Sequence, residues 1–181
     1  MVLNFDTFLT IIYKGNTSKL NMPHDIKKIR PSGRYKGGQI NPLSCHKLYE
    51  SQKTKPIIYR SSYEKDFIYW LEHSPRVIRW GSECVGIGYT NLQDGKHHTY
   101  YPDYIMEVWN NKDDHSKGTS TILVEIKPYN QTKAPDPTIP RDSYAWVEYV
   151  RNISKWKAAA EFARQNNMLF KIFTERTIER L

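Results

Sequence analysis

The sequence predicts an α/β fold in which helices flank a mixed sheet, an antiparallel meander with one added parallel strand. Three observations predict it. A helical run from Ser61 to His73 precedes three strand-like stretches, the last being Thr121-Ile122-Leu123-Val124-Glu125-Ile126-Lys127. A second helical run, from about Tyr144 to Gln165, comes next. It is followed by a nearly continuous apolar run, Met168-Leu169-Phe170-Lys171-Ile172-Phe173. A strand reached across a helical crossover lies parallel to the strand before it.

In chain order, residues 1–26 read as an N-terminal extension. Its first twelve residues are apolar, but Asp6 interrupts them, no positive charge leads them and no small-residue cleavage site follows. They are also too short for a membrane span. The expectation is a short helix or strand docked on the body, with no membrane partner. Residues 27–60 read as a basic arm. Lys27, Lys28, Arg30, Arg34, Lys36, Lys47, Lys53, Lys55 and Arg60 stand against one acid, Glu50, an excess equal to the chain's whole net charge of +8. Gly33, Gly37, Gly38, Pro31, Pro42 and Pro56 punctuate it, so it is either a solvated loop or an arm laid along phosphates.

Residues 61–181 read as the core domain. Tyr63, Phe67, Trp70 and Leu71 recur at helical spacing, Ser61 or Ser62 caps the start, and Pro75 ends the helix near His73. Glu64 sits in the first turn, where the helix dipole favours a carboxylate whatever else it does. Val77-Ile78-Arg79-Trp80 leads into Cys84 to Tyr89 as a first strand, and Asp94-Gly95 favours a hairpin. His98 to Trp109 is the second strand, and the strand of Glu125 is the third. Pro128, Pro135, Pro137 and Pro140 make 128–142 a loop, and because it leaves from Lys127 it should lie over whatever Lys127 does. Trp146 and Trp156 read as core residues of the second helix.

With 181 residues, 39% hydrophobic and 13% aromatic, the chain is globular and most simply one domain with appendages. The charge favours an anionic partner such as nucleic acid. Cys45 and Cys84 make neither a disulfide framework nor a paired metal motif, which points to a reducing setting. Cys45-His46 and His97-His98 lack the second ligand pair that a zinc site needs.

Alternation puts Glu125 and Lys127 on one face of their strand. Asp103, after Pro102 on the neighbouring strand, can approach Glu125. Two carboxylates with the intervening Ile126 carbonyl suit Mg²⁺, which takes a few such oxygens together with water and substrate phosphate. Lys127 can orient or deprotonate an attacking water, or stabilise developing charge. Glu64 can add a carboxylate from the preceding helix. Taken singly, Glu125 and Lys127 are also explained as an edge-strand ion pair and Asp103 as a turn residue.

Pro102-Asp103 followed by Glu125-Ile126-Lys127 on the next strand resembles the PD-(D/E)xK signature of restriction-endonuclease-like nucleases. Gly33-Arg34-Tyr35-Lys36-Gly37, Ile58-Tyr59-Arg60-Ser61-Ser62-Tyr63-Glu64, Tyr101-Pro102-Asp103-Tyr104, Val124-Glu125-Ile126-Lys127-Pro128 and Lys155-Trp156 resemble the head completion nucleases of T4-like tailed bacteriophages. The TnsA-type transposon endonucleases are more distantly similar. The resemblance implies a restriction-endonuclease-like core acting on double-stranded DNA in late head maturation, with Mg²⁺ as cofactor and Mn²⁺ as a substitute. It implies Asp103, Glu125 and Lys127 as the catalytic triad and Glu64 as an additional acid. Arg60 and the arm residues Lys27, Lys28, Arg30, Arg34 and Lys36 would then grip phosphates without reading sequence, with Lys133, Arg141 and Lys155 as further contacts. Portal or neck proteins, a homodimer, and a place in the infected host cytoplasm or the virion fit the same picture. The competing reading is a structural head or neck protein that keeps the fold with a silent site. Acids placed against phosphate argue for the enzyme, since a pure DNA-binding protein has no use for them.

Overall fold

The computed structural model describes residues 37–178. The expectations for residues 1–26 and for Lys27, Lys28, Arg30, Arg34 and Lys36 lie outside the described residues. The described chain begins β1 (Gly38–Ile40), β2 (Ile57–Tyr59), α1 (Ser62–His73), β3 (Val77–Ser82), β4 (Ile87–Thr90) and β5 (His97–Tyr100). It continues through β6 (Tyr104–Trp109), β7 (Thr119–Ile126), α2 (Tyr144–Gln165), β8 (Leu169–Phe173) and α3 (Glu175–Ile178).

The central sheet has the order β3-β6-β7-β8. β3, β6 and β7 pair antiparallel, and β8 joins β7 in parallel with Glu125 opposite Ile172. The mixed sheet is therefore the predicted one. The two expected strands preceding β7 each divide, however. Cys84 to Tyr89 does not continue β3. It yields β4, which pairs with β5 as a separate hairpin closed at Asp94-Gly95, where Gly95 takes φ 69°. His98 to Trp109 breaks at Tyr101-Pro102-Asp103, leaving β5 in the hairpin and β6 in the sheet. Pro102 has no N–H for a ladder, so the pairing of β6 ends beside it.

The local reasons for the helices are plain. Ser61 Oγ accepts from Glu64 N at 3.2 Å, opening α1, and Ser74 goes extended ahead of Pro75, ending it. Ser143 caps α2 in the same way through Trp146 N. The two faces of the sheet then fill by strand alternation. Tyr104, Met106, Ile122, Val124 and Ile126 pack with Phe67, Trp70 and Leu71 of α1. Ile105, Leu123, Phe170 and Ile172 pack on Trp156, Ala159 and Ala163 of α2, where the β4–β5 hairpin adds Ile87, Tyr89 and Tyr100. Trp156 is fully buried, and burying a large apolar side chain contributes about 1.5–3 kcal/mol.

The described part of the basic stretch is docked on this body. Cys45, Leu48 and Ile57 enter the core on the α1 side, and Leu48 bridges to Trp80. Its lysines therefore sit on a packed segment, with Lys47 Nζ donating to the Ser74 carbonyl at 2.6 Å.

Candidate active site

The site lies where β6 and β7 part. Their last matched pair is Tyr104 with Val124, so one further step in the same register sets Asp103 opposite Glu125 and Pro102 opposite Ile126. Alternation places Asp103, Glu125 and Lys127 on the α2 face, continuing the row of Ile105 and Leu123. Because Pro102 cannot donate, the Asp103 side chain takes over the ladder. Its Oδ2 accepts from Ile126 N at 2.6 Å, and Oδ1 has no hydrogen-bond donor among the described residues. The Ile126 carbonyl, on the same strand edge as its N–H, likewise meets a proline with no N–H to offer.

Glu125 is 3% exposed, and a buried carboxylate needs partners. Tyr100 Oη donates to its Oε2 at 2.5 Å, and Lys127 Nζ lies 3.1 Å from its Oε1. Lys127 is anchored by its own N–H, which donates to the Phe173 carbonyl at 2.9 Å.

The electrostatics follow from crowding. Burial, then the Glu125 charge, pushes the Asp103 carboxyl well above the usual carboxylate range, against the pull of the Ile126 N–H and Lys127. Burial drags the Lys127 ammonium down, but Glu125 and Asp103 outweigh it and the net shift is upward. Burial, then Glu125, raises the Tyr100 phenol well above its ordinary range, which keeps it a donor. Two acids squeezed together at a strand break, with one of them reluctant to ionise, form a site that a small cation would relax.

Glu64 stands at the start of α1, beneath the other face of the sheet. Its Oε2 accepts from Arg60 N at 2.9 Å and its Oε1 from Ser61 Oγ at 3.0 Å. It thus ties the start of α1 to the residue before the cap, while its charge still reaches Asp103 and Lys127. Arg60 is engaged as well, its guanidinium meeting Glu83 at 2.6 Å. Lys155 comes to the site from α2. Its Nζ lies 5.8 Å from the centre of the Tyr100 ring, and burial, then Lys127, pushes its pKa down. Lys133 and Arg141 are exposed on the loop after Lys127, and neither makes a hydrogen bond or ion pair with Asp103 or Glu125 among the described residues.

Two participants escaped the sequence reading. Tyr100 could have been found by asking which neighbour donates to a buried acid, since it stands three residues before Asp103. Glu83 could not. It takes φ 48°, rare for a residue with a side chain, donates its N–H to the Asp103 carbonyl at 3.0 Å and holds Arg60.

Among the described residues, no group of three or more His, Cys, Asp or Glu is gathered to hold a metal ion. The donors that could serve one are the Asp103 and Glu125 carboxylates and the Ile126 carbonyl. Such an all-oxygen set fits a hard cation that keeps water and substrate oxygens, and Asp103's raised pKa marks where the positive charge would go.

Comparison with known proteins bears on this geometry. Residues 74–175 match the model of the TnsA-like endonuclease N-terminal family. The chain is also 35% identical over 131 residues to the head completion nuclease of Enterobacteria phage T4, an alignment covering 67% of this chain and 80% of that protein. Asp103, Glu125, Lys127, Tyr100 and Lys155 fall inside the residues matched by the family model, and Glu64 falls before them.

Proposed function

The chain belongs to the TnsA-like endonuclease N-terminal family, and from that premise we propose that it is a Mg²⁺-dependent endonuclease that hydrolyses phosphodiester bonds of double-stranded DNA during phage head completion. The observation that carries this reading is the pairing of Asp103 with Glu125 across the parted hairpin, with Lys127 Nζ 3.1 Å from Glu125. The mixed sheet with its acids at this break supports a restriction-endonuclease-like core of the PD-(D/E)xK type.

Mg²⁺, for which Mn²⁺ can substitute, supplies charge relief on the phosphate and a more acidic water when held by Asp103, Glu125 and the Ile126 carbonyl. The chain's own groups do the rest. Tyr100 Oη fixes one Glu125 oxygen, and the Ile126 N–H fixes one Asp103 oxygen, so both carboxylates are oriented before substrate arrives. Lys127 Nζ directs its protons towards the carboxylate side of the site, where it orients the attacking water and stabilises charge on the phosphate oxygens. Glu64 adds negative charge from the α1 side. Lys155 contributes a positive charge on the α2 side, and Arg60 becomes a phosphate contact once it leaves Glu83. The arm residues Lys27, Lys28, Arg30, Arg34 and Lys36, with Lys133 and Arg141, extend the grip on the backbone.

Severing both strands takes two sites or two successive nicks, and a homodimer supplies two. The same reading makes portal or neck proteins partners and sets the work in the phage-infected host cell or the virion. The test is supercoiled plasmid incubated with the full chain in Mg²⁺. Nicked and linear products that disappear in EDTA are expected; intact plasmid under Mg²⁺ and Mn²⁺ alike refutes the proposal.

A further inference from the structure

Among the described residues, four of the seven arginines are held by an acid. Arg60 meets Glu83, Arg79 meets Glu107, Arg151 meets Glu148 and Arg164 meets Glu161. Arg76 donates to the carbonyls of Trp109 and Asn110. Arg141 and Arg176 differ. Neither has an acid partner among the described residues, and each lies close over an aromatic ring. Arg141 Cζ is 3.7 Å from the centre of Trp146, and Arg176 Cζ is 3.5 Å from the centre of Tyr129.

The Tyr129 ring holds a second cation, Lys133, whose Nζ is 4.6 Å from the same centre. The phenol is itself lowered in pKa, first by its bond to Lys133 and also by the charge of Arg176. Glu175, the acid next to Arg176 in sequence, accepts from Tyr129 N at 2.8 Å and forms no ion pair with either cation. Two exposed cations are therefore ordered on one ring, with no carboxylate neutralising them among the described residues. A guanidinium held over a ring still has N–H groups to offer an oxyanion such as phosphate, and ordering it in advance lowers the cost of binding.

Position says what the anion is. Tyr129 follows Lys127 by two residues, which puts it within about 7 Å of main chain from the lysine. Arg176 follows Phe173 by three, and the Phe173 carbonyl is the acceptor that anchors Lys127 N. Both halves of the cation pair are tied to the residue that faces the scissile phosphate.

We propose that Lys133 and Arg176, stacked on Tyr129, form a phosphate clamp that takes the backbone of duplex DNA immediately beside the cleavage point. The inference rests on the nuclease reading above and adds Arg176 to the DNA-contacting surface. The clamp reads no base, so it contributes to affinity and register and not to sequence preference.

The experiment is fluorescence anisotropy of a mixed-sequence DNA duplex with the full chain in EDTA, across a salt series. Lys133→Gln, Arg176→Gln, the double variant and Lys117→Gln are compared. Lys117 lies next to β7 at the end opposite Lys127 and pairs with Asp114. Each clamp substitution should reduce the slope of log affinity against log salt by about one, and the double variant by about two. Lys117→Gln should leave the slope unchanged. All these side chains are exposed, and an unchanged thermal midpoint on the same preparations confirms folding. A wild-type slope in the double variant, or an equal loss in Lys117→Gln, overturns the clamp while leaving the nuclease reading intact. If the wild type neither binds duplex nor cuts plasmid, both fall.

Discussion

Replacing Asp103 with Asn keeps an oxygen for the Ile126 N–H and removes a charge that stands opposite Glu125. Directly opposed side chains on an antiparallel pair sit about 5 Å apart. Two like charges at that distance repel by about 3 kcal/mol at an effective dielectric of about 20. Lys127 attracts Asp103 and offsets part of this, leaving a net gain of about 1–2 kcal/mol for the variant. For a chain of this size that is a rise in midpoint of about 2–8 °C. The pH dependence has a definite sign. The Asp103 carboxyl is raised on folding, so its stabilising contribution is complete below about pH 4 and is lost as pH rises through the higher folded value. Thermal unfolding in EDTA should therefore show Asp103→Asn above wild type at pH 8 and level with it below pH 4. Adding Mg²⁺ at pH 8 should raise the wild-type midpoint and leave the variant's where it was. A variant that melts below wild type at pH 8, or keeps the same advantage at pH 4, would refute the crowded-acid account.

Tyr100→Phe deletes the buried donor to Glu125, and a hydrogen bond to a charged group contributes about 1.5–3 kcal/mol. Its midpoint should fall and the Mg²⁺ concentration for half-maximal cleavage should rise; an unchanged Mg²⁺ titration would show that Tyr100 does not position Glu125. Glu64→Gln keeps an oxygen for Arg60 N and can donate its amide N–H to Ser61 Oγ, so it should melt like wild type, whereas Glu64→Ala should lose about 1 kcal/mol. Reduced cleavage by Glu64→Gln is expected from its charge near the site, and full cleavage would assign Glu64 to the cap alone. Glu83→Gln should free Arg60, tightening DNA binding and steepening its salt slope by about one. Anisotropy indistinguishable from wild type would mean Arg60 does not reach phosphate.

Local chemistry is what the sequence makes legible. Both long helices end within a residue or two of where their capping serines, Pro75 and apolar spacing put them, because those signals act within one turn. The parallel strand after α2 follows from the helical crossover that precedes it, and the shared face of Glu125 and Lys127 from strand period. The division of His98 to Trp109 between two sheets did not, since an apolar run looks the same whether it pairs with one partner or two. Pro102 was read as part of a motif when it was also the residue that ends the β6 ladder. Lys155 was placed among outlying phosphate contacts, whereas the crossover brings it beside Tyr100 and Lys127. The Arg60–Glu83 contact depends on a left-handed backbone at Glu83, which its side chain gives no reason to expect.

The central claim is that Asp103, Glu125 and Lys127 act as one hydrolytic site. It is tested most directly by plasmid cleavage in Mg²⁺ with Asp103→Asn, Glu125→Gln and Lys127→Ala, each checked for duplex binding on the same preparation. The account predicts that every variant loses about 100-fold or more in cleavage rate while still binding DNA. A folded variant at any of the three positions that cuts at the wild-type rate would contradict it.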